Sequence, residues 1–448
     1  MIKCLKWNNY KAIGNLELDF SKDDGTLYNT VILAGENGTG KTTILDTLAT
    51  YLNRQSVEPF EFIEYMIDGV DYHIVPDDTN AQNGFHIRST GNGVNNELVQ
   101  SGERIRSKIV DIDAKDLRHY GFSYSKARSG FNTERVKSVT TQQLDVDKYE
   151  PDAHEDFTRV KQLLIDIEAQ DSQEWKMLSE EGMASNENYQ KFKSHSKMHR
   201  FEVAFNAFFE SIKYYGINDT DPLEKSIMFK KHGNLISVDQ LSTGEKQIVF
   251  RGAHLLRNTN NIAGGIVLID EPELSMHPMW QRRILDYYRG LYTEGGNQSV
   301  QMIIATHSEY VIRSALKDRE NVLVIVLSDD NGVIKGRRIT APNALPTITA
   351  AETNYLAFGV PSIDYHIELY GYLQSKINKS SVRDCDYYIA HHQAYDVVKH
   401  GKSDQYKQYT YLTLPTYIRN AIDHPDSQRQ YNENELITSI ELLRALCK

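Results

Sequence analysis

With 448 residues, 40% of them hydrophobic, the chain has room for two or three average domains and ample apolar material for their cores. Its formal net charge of −11 makes the surface as a whole repel phosphate backbones, so nucleic-acid contact has to come from a local basic patch or through a partner. Cys4, Cys385 and Cys447 are too scattered for a zinc cluster or a disulfide framework, no signal-like apolar run follows Met1, and none reaches the roughly 18 residues of a membrane span, so the expectation is a cytoplasmic protein without membrane contact.

Residues 2–20 alternate loosely and read as two strands turning at Gly14-Asn15. Val31-Ile32-Leu33-Ala34 then has the continuous apolar character of a buried parallel strand, and Ile44, Leu45, Leu48 and Leu52 recur at helical spacing. Between them Gly35-Glu36-Asn37-Gly38-Thr39-Gly40-Lys41-Thr42 fits the phosphate-loop pattern G-x-x-x-x-G-K-[ST] without a mismatch. The glycines allow a tight turn whose N–H groups point at β- and γ-phosphates; Lys41 supplies a point charge and Thr42 a hydroxyl for Mg²⁺.

Residues 55–106 are polar with Gly/Asn clusters, which predicts short antiparallel strands and long loops. Over 119–145, Tyr120, Phe122 and Tyr124 precede Lys126, Arg128, Arg135 and Lys137, and then Thr140-Thr141-Gln142-Gln143. Interleaved aromatics and bases can bind nucleic acid; a strand under a nucleotide-facing loop, with one glutamine near the metal, is the favoured reading. From 152 to about 215 two apolar stripes, Phe157 to Ile167 and Phe201 to Phe209, predict two helices with a loose connection.

Three further stations follow. Leu241-Ser242-Thr243-Gly244-Glu245-Lys246-Gln247 starts a helix with a capping residue and an early acid. Ile266-Val267-Leu268-Ile269 is a second buried strand, ending in Asp270-Glu271-Pro272-Glu273; an acid there, beside a phosphate loop, can hold Mg²⁺ through water and the next acid can polarise the attacking water. Val300 to Ala305 is a third strand, ending in Thr306-His307-Ser308, where a γ-phosphate sensor would sit.

In that order the four stations resemble the ATP-binding cassette (ABC) ATPases of the RecF and SMC-like branch, over roughly residues 1–340. The fold implied is α/β: an ABC ATPase (P-loop NTPase) head with a short helical insertion and an α-helical C-terminal module, divided as 1–150, 151–225, 226–342 and 343–448. The resemblance implies ATP and Mg²⁺ as cofactors, with nucleotide contacts from Gly35, Asn37, Gly38, Thr39, Gly40, Lys41, Thr42 and Thr43. It makes Ser242, Gly244 and Glu245 the signature, which meets the γ-phosphate on another copy, and Asp270 and Glu271 the Walker B pair. Glu271 and His307, the switch histidine, would be catalytic; Thr42 and Asp270 would hold the metal, together with a glutamine-loop residue at Gln142 or Gln143. The signature reads Leu-Ser-Thr-Gly-Glu rather than the transporter form Leu-Ser-Gly-Gly-Gln, and residues 273–278 resemble the D-loop of the RecF-like branch. If Ser242 serves a phosphate on another copy's Lys41, two chains must face head to tail, as a dimer or within a higher oligomer.

Beyond about residue 343 helices are expected at 349–358, 362–377, 412–422 and 434–446, around a polar stretch at 384–411. The tail lacks the spaced acids of a Toprim nuclease. Arg419-Asn420-Ala421-Ile422-Asp423-His424 matches the R-x4-H pattern of HEPN ribonucleases, in which arginine and histidine would converge on a scissile phosphate; the plainer reading is a helix end stopped by Pro425. The whole design resembles the PtuA family of ATPases from Septu and retron-associated anti-phage defence. That resemblance implies a partner nuclease of the HNH type, with a retron reverse transcriptase and its msDNA as a further candidate and nucleic acid met through the partner. A RecF-like DNA-repair ATPase is the remaining alternative, and the acidic balance counts against it.

Overall fold

In the computed structural model, strand β1 (Ile2–Trp7) turns back through a 3-10 turn at Lys11–Ile13 into β2 (Glu17–Asp19), and the two pair antiparallel. All residues are described except 91–95, 102–109, 111, 128–132, 147, 149–156, 184, 219, 222, 340–343, 407–408 and 426–427. The expected boundaries at 150/151 and 342/343, and Arg128, therefore lie outside the described residues. The chain falls into two units, Met1–Arg337 and Arg338–Lys448.

In the first unit the buried β3 (Thr30–Gly35) leads through the glycine loop into α1 (Lys41–Leu52). Strands β4 (Phe60–Ile67), β5 (Val70–Pro76), β6 (His86–Thr90) and β7 (Glu97–Val99) then extend the opening hairpin into an antiparallel sheet of order β2-β1-β4-β5-β6-β7. After β8 (Phe122–Ser125) come three helices, α2 (Phe157–Leu178), α3 (Asn186–His195) and α4 (His199–Phe208). A small sheet of β9 (Ile212–Asn218), β10 (Ser226–Lys231) and β11 (Asn234–Ser237) precedes α5 (Thr243–Leu256). The rest is β12 (Ile266–Asp270), α6 (Pro278–Gly290), the minor pair β13 (Thr293–Glu294) and β14 (Asn297–Gln298), β15 (Gln301–Thr306), α7 (Glu309–Lys317), β16 (Val322–Asp330) and β17 (Val333–Arg338).

The second large sheet has the order β17-β16-β3-β15-β12-β8, with β16, β3, β15, β12 and β8 parallel. Strands β3, β12 and β15 are buried along their whole length, which is why they read as unbroken apolar runs. Their register pairs Asp270 with Ala305 and Thr306 with Ala34, so all three release their next residues at the same edge. Helix α1 places Ile44, Leu45, Leu48 and Leu52 in the core shared by the two large sheets. Polar stitches fix that core: Trp7 Nε1 donates to Thr47 Oγ1 at 3.1 Å, and the buried Gln301 amide brackets Ile2, accepting its N–H at 2.7 Å and donating to its carbonyl at 2.9 Å.

Two expectations for the segment before α5 need correcting. Its described residues hold three α-helices rather than two, because Ser185 caps an additional one at Asn188 N–H. The residues from Ile212 form a strand, because Ile212-Lys213-Tyr214-Tyr215 alternates and finds an antiparallel partner in β10. Helix α2 packs on α5 through Phe157 and Phe250, whose ring centroids lie 5.7 Å apart.

The second unit is α8 (Ala350–Phe358), α9 (Ile363–Lys376), α10 (Val382–Ala390), the short α11 (Val397–His400), a hairpin of β18 (Gly401–Tyr406) and β19 (Tyr409–Thr413), α12 (Leu414–Asp423) and α13 (Glu433–Cys447). It is therefore not all helical. The polar stretch at 384–411 supplies most of α10 and of the hairpin, and the buried Asp386 secures it by accepting from Leu412 N–H, Thr413 N–H and Thr413 Oγ1.

His366, fully buried on α9, pairs through Nε2 with Ser439 Oγ of α13 at 2.9 Å, and burial pushes its pKa down to about 3. Because its folded pKa lies below the unfolded one, the unfolded chain binds the extra proton, so this contribution is intact above pH 6.5 and is lost as pH falls toward 3. Relative to a His366→Gln variant, the chain is expected to lose about 2 kcal/mol of its advantage between pH 7 and pH 5, read from urea unfolding midpoints at the two pH values. An unchanged difference would show that His366 takes up its proton alike in the folded and the unfolded chain.

Candidate functional site

The loop after β3 depends on glycine for steric reasons. Gly40, which caps α1, has φ of 85°, and a Cβ there would lie 2.2 Å from Ile13 Cγ2; at Gly35 a Cβ would lie 2.4 Å from the Leu327 carbonyl oxygen of β16. Glycine offers no side chain to cap the helix, so the first N–H groups of α1 face the loop as an anion cradle. Asn37 and Gly38 form its exposed crest, the Thr39 hydroxyl donates to Glu36 O at 2.8 Å, and Thr42 and Thr43 open the first helical turn. Lys41 Nζ lies across the loop, donating to Gly35 O and Glu36 O at 2.8 Å each. Burial lowers its pKa, opposed by Asp270, Glu271, Glu273 and Glu36.

At the end of β12, Asp270 Oδ2 accepts from the Thr42 hydroxyl at 2.8 Å, while its buried Oδ1 has no hydrogen-bond partner among the described residues. Burial pushes the Asp270 pKa up to about 6; the Thr42 bond offsets this in part, and the nearby Glu271 and Asp46 add to it. A buried carboxylate with an oxygen to spare, next to a hydroxyl, suits a hard divalent cation. Among the described residues no group of three or more His, Cys, Asp or Glu side chains could form a protein cage, so Mg²⁺ would be held by Thr42 and Asp270, with phosphate and water completing its shell.

Glu271 turns away from the sheet with φ of 44°, a left-handed conformation that costs a non-glycine residue about 1–2 kcal/mol. Its N–H still bonds Ala305 O at 2.9 Å, and its Oε1 lies 3.5 Å from His307 Nδ1. Buried Glu273 joins the two strand ends, accepting from the Thr306 hydroxyl at 2.6 Å and His307 N–H at 3.2 Å, and burial raises its pKa.

Ser242 caps α5 in a reciprocal box with Glu245: its N–H donates to Glu245 Oε2 at 2.8 Å and its Oγ accepts from Glu245 N–H at 3.4 Å. Lys231 holds the other Glu245 oxygen at 2.6 Å. Gly244 faces Ser275, where a Cβ would come within 2.9 Å of the carbonyl oxygen. Ser242 and Thr243 themselves are exposed, and among the described residues no hydrogen bond joins Ser242–Glu245 to the loop at 35–43 of the same chain.

Gln142 is anchored to the helical segment through its backbone, where Asp166 of α2 accepts its N–H at 3.3 Å and Gln170 donates to its carbonyl at 2.7 Å; among the described residues no hydrogen bond joins its side chain to Thr42 or Asp270. Arg419 pairs with Asp423 at 2.6 Å, one turn along its own helix, and donates to Asn420 Oδ1, while the exposed His424 follows the last turn of α12. The residue missed in the sequence is Arg251, buried on α5 beside both acids; its signal was the polar set Gln247, Arg251 and His254 on an otherwise apolar helix face.

A phosphate cradle, a hydroxyl–aspartate pair, a glutamate and a histidine thus open at one edge of a parallel sheet, and the capped serine helix is exposed at its start. This is the layout of a P-loop ATPase of the ABC type. The profile of the AAA_21 family, described as "AAA domain, putative AbiEii toxin, Type IV TA system", matches residues 31–313, and the chain belongs to that family. It is 24% identical over 396 residues to "Retron Ec83 probable ATPase" of Escherichia coli, covering 71% of this chain and 70% of that protein. It is 28% identical over 131 residues to "Retron Vc95 probable ATPase" of Vibrio cholerae serotype O1 biovar El Tor, covering 27% of this chain and 24% of that one. Against "Septu protein PtuA" of Bacillus mycoides (strain KBAB4) it is 21% identical over 336 residues, 70% of this chain and 39% of that protein. The chain thus spans well under two thirds of two of these three relatives. Among solved structures it is similar to an SMC head bound to the C-winged helix domain of ScpA (TM-score 0.42, 16% identity, 77% of this chain and 99% of that one). It is also similar to the SMC head domain from Thermotoga maritima (TM-score 0.40, 16% identity, 76% of this chain and 99% of that one). No helix among the described residues is long and apolar enough to cross a membrane.

Proposed function

We propose that the chain is the ATPase subunit of a bacterial anti-phage defence system: copies close head to tail on ATP and Mg²⁺, hydrolyse slowly, and in the closed state assemble with and regulate an HNH-type nuclease in the cytoplasm. The observation that carries this reading is the division of the site. Lys41, Thr42, Asp270, Glu271 and His307 gather at one sheet edge, while Ser242 is exposed at a helix start with no hydrogen bond to its own phosphate loop. The N–H groups of α1 and Lys41 bind the phosphates, and Glu271, with His307 3.5 Å away, orients the attacking water. Bound Mg²⁺ would supply charge neutralisation of the phosphates. Ser242 of a second copy completes the contacts to the γ-phosphate, so its loss on hydrolysis loosens the pair. The defence role is supported by the retron and Septu names of the relatives. A retron reverse transcriptase with its msDNA is a second candidate partner on the same ground.

The test is purified protein in light scattering with and without ATPγS, alongside phosphate release and nuclease assays. The expected results are a nucleotide-dependent doubling of mass, about one turnover per second or fewer, and intact RNA and DNA until an HNH protein encoded beside the gene is added. RNA cleavage by this chain alone would favour the ribonuclease reading at Arg419 and His424 instead.

A further inference from the structure

One buried cation in the signature helix has no part in the chemistry above. Arg251 lies on α5, the helix that Ser242 caps, and is fully buried. A guanidinium has five N–H donors in a planar fork, and this one directs a hydrogen bond along each of five. Nε donates to Ser125 Oγ at 2.7 Å; Nη2 donates to Ser125 O at 3.0 Å and Asp270 O at 2.7 Å; Nη1 donates to Glu271 O at 2.9 Å and Gln247 Oε1 at 3.2 Å. All five acceptors are neutral oxygens. The Asp270 carboxylate acts on the guanidinium only through space and is itself lowered in pKa by it, so no direct ion pair repays the burial, and an apolar side chain would be the cheaper way to fill this space. What the fork achieves is geometric: it gathers the carbonyl ends of β8 and β12 and grips both carbonyls of the Asp270–Glu271 step, where the backbone swings to φ of 44°.

We propose that Arg251 is a positioning residue for ATP hydrolysis. It fixes the Glu271 backbone so that the carboxylate meets the nucleophile, and it ties that placement to the seating of α5, whose cap Ser242 meets the other copy's nucleotide. Docking of Ser242 on one nucleotide therefore adjusts Glu271 over the other, and the two sites of a dimer communicate through one side chain in each copy. This inference rests on the reading of Glu271 as the residue that orients water.

The effect to look for is a split between binding and turnover. Misplacing a catalytic group by about 1 Å can cost on the order of 100-fold in rate while leaving ground-state binding alone. Arg251→Lys keeps the charge but not the fork. It is expected to retain ATPγS affinity within about threefold, to lower kcat by about 10- to 100-fold, and to bring the Hill coefficient for ATP toward 1. A folded Arg251→Lys with parental kcat, or one that loses affinity and kcat in the same proportion, overturns the proposal and leaves Arg251 a packing residue. Should that variant not fold, Ser125→Ala decides, because it removes a single acceptor of the fork: reduced kcat at unchanged affinity supports the proposal and parental kcat overturns it. A parent protein without ATPase activity would defeat the proposed function as well. If instead the parent is active and Glu271→Gln is silent while the Arg251 and Ser125 variants remain active, this inference alone fails.

Discussion

Glu271→Gln is expected to lower ATP turnover by about 10²- to 10³-fold while MgATP affinity changes little, and to leave the protein trapped as an ATP-held dimer. The substitution keeps the length and shape of the side chain, so the left-handed backbone and the N–H bond to Ala305 O should both survive. What it removes is the negative charge that polarises water and faces His307 at 3.5 Å. Because Lys41, Thr42 and Asp270 are untouched, the nucleotide still binds, and because the γ-phosphate is no longer lost, the contacts it makes with a second copy persist. Single-turnover phosphate release together with mass measured in ATP would check both parts. Parental turnover would show that the water is oriented from elsewhere, and a variant that stays monomeric in ATP would separate nucleotide binding from association.

The second expectation follows from where Ser242 sits. Ser242→Arg blocks the exposed start of α5, and Lys41→Ala removes the phosphate contact, so each variant alone should be inactive by at least about 100-fold. Mixed together they should regain activity, since a pair made of one of each contains one composite site with both an intact Lys41 and an intact Ser242. Random mixing makes half the pairs of this kind, each with one of two sites complete, which sets a ceiling of roughly a quarter of parental turnover. Ser242→Arg protein that hydrolyses ATP at the parental rate would mean the site is complete within one chain, and the two-copy account would fall.

Much of the first unit could be read from the sequence because each of its stations couples a local pattern to a strand end. The runs Val31 to Ala34, Ile266 to Ile269 and Met302 to Ala305 are apolar on both faces because both faces are buried, and the polar residues that follow them had to emerge at one edge. Ser242 with Glu245 likewise gives a helix start that needs no tertiary information. Other features depend on long-range partners. Gln142 sits in a polar run whose backbone partners, the Asp166 carboxylate and the Gln170 amide, come from a helix farther along the chain. Arg251 shows in the sequence only as one of three polar residues on an apolar helix face, and its role waits for β8 and β12 to bring their carbonyls to it. In the second unit, alternation in 401–413 was diluted by tyrosines and lysines, so the hairpin passed for an irregular stretch. Arg419 and His424 have a suggestive spacing, but spacing cannot foresee that Asp423, one turn away, takes the guanidinium.

The backbone at Glu271 carries a wider consequence. At φ of 44° the residue most at ease is glycine, with asparagine next, and neither can polarise water as a carboxylate does. Sturdiness and reactivity therefore pull in opposite directions at this corner, and a search for heat-resistant variants that scored melting alone would be drawn to substitutions that silence the enzyme. On the proposed role of Glu271, the discomfort of one residue is what turnover asks of that end of the sheet.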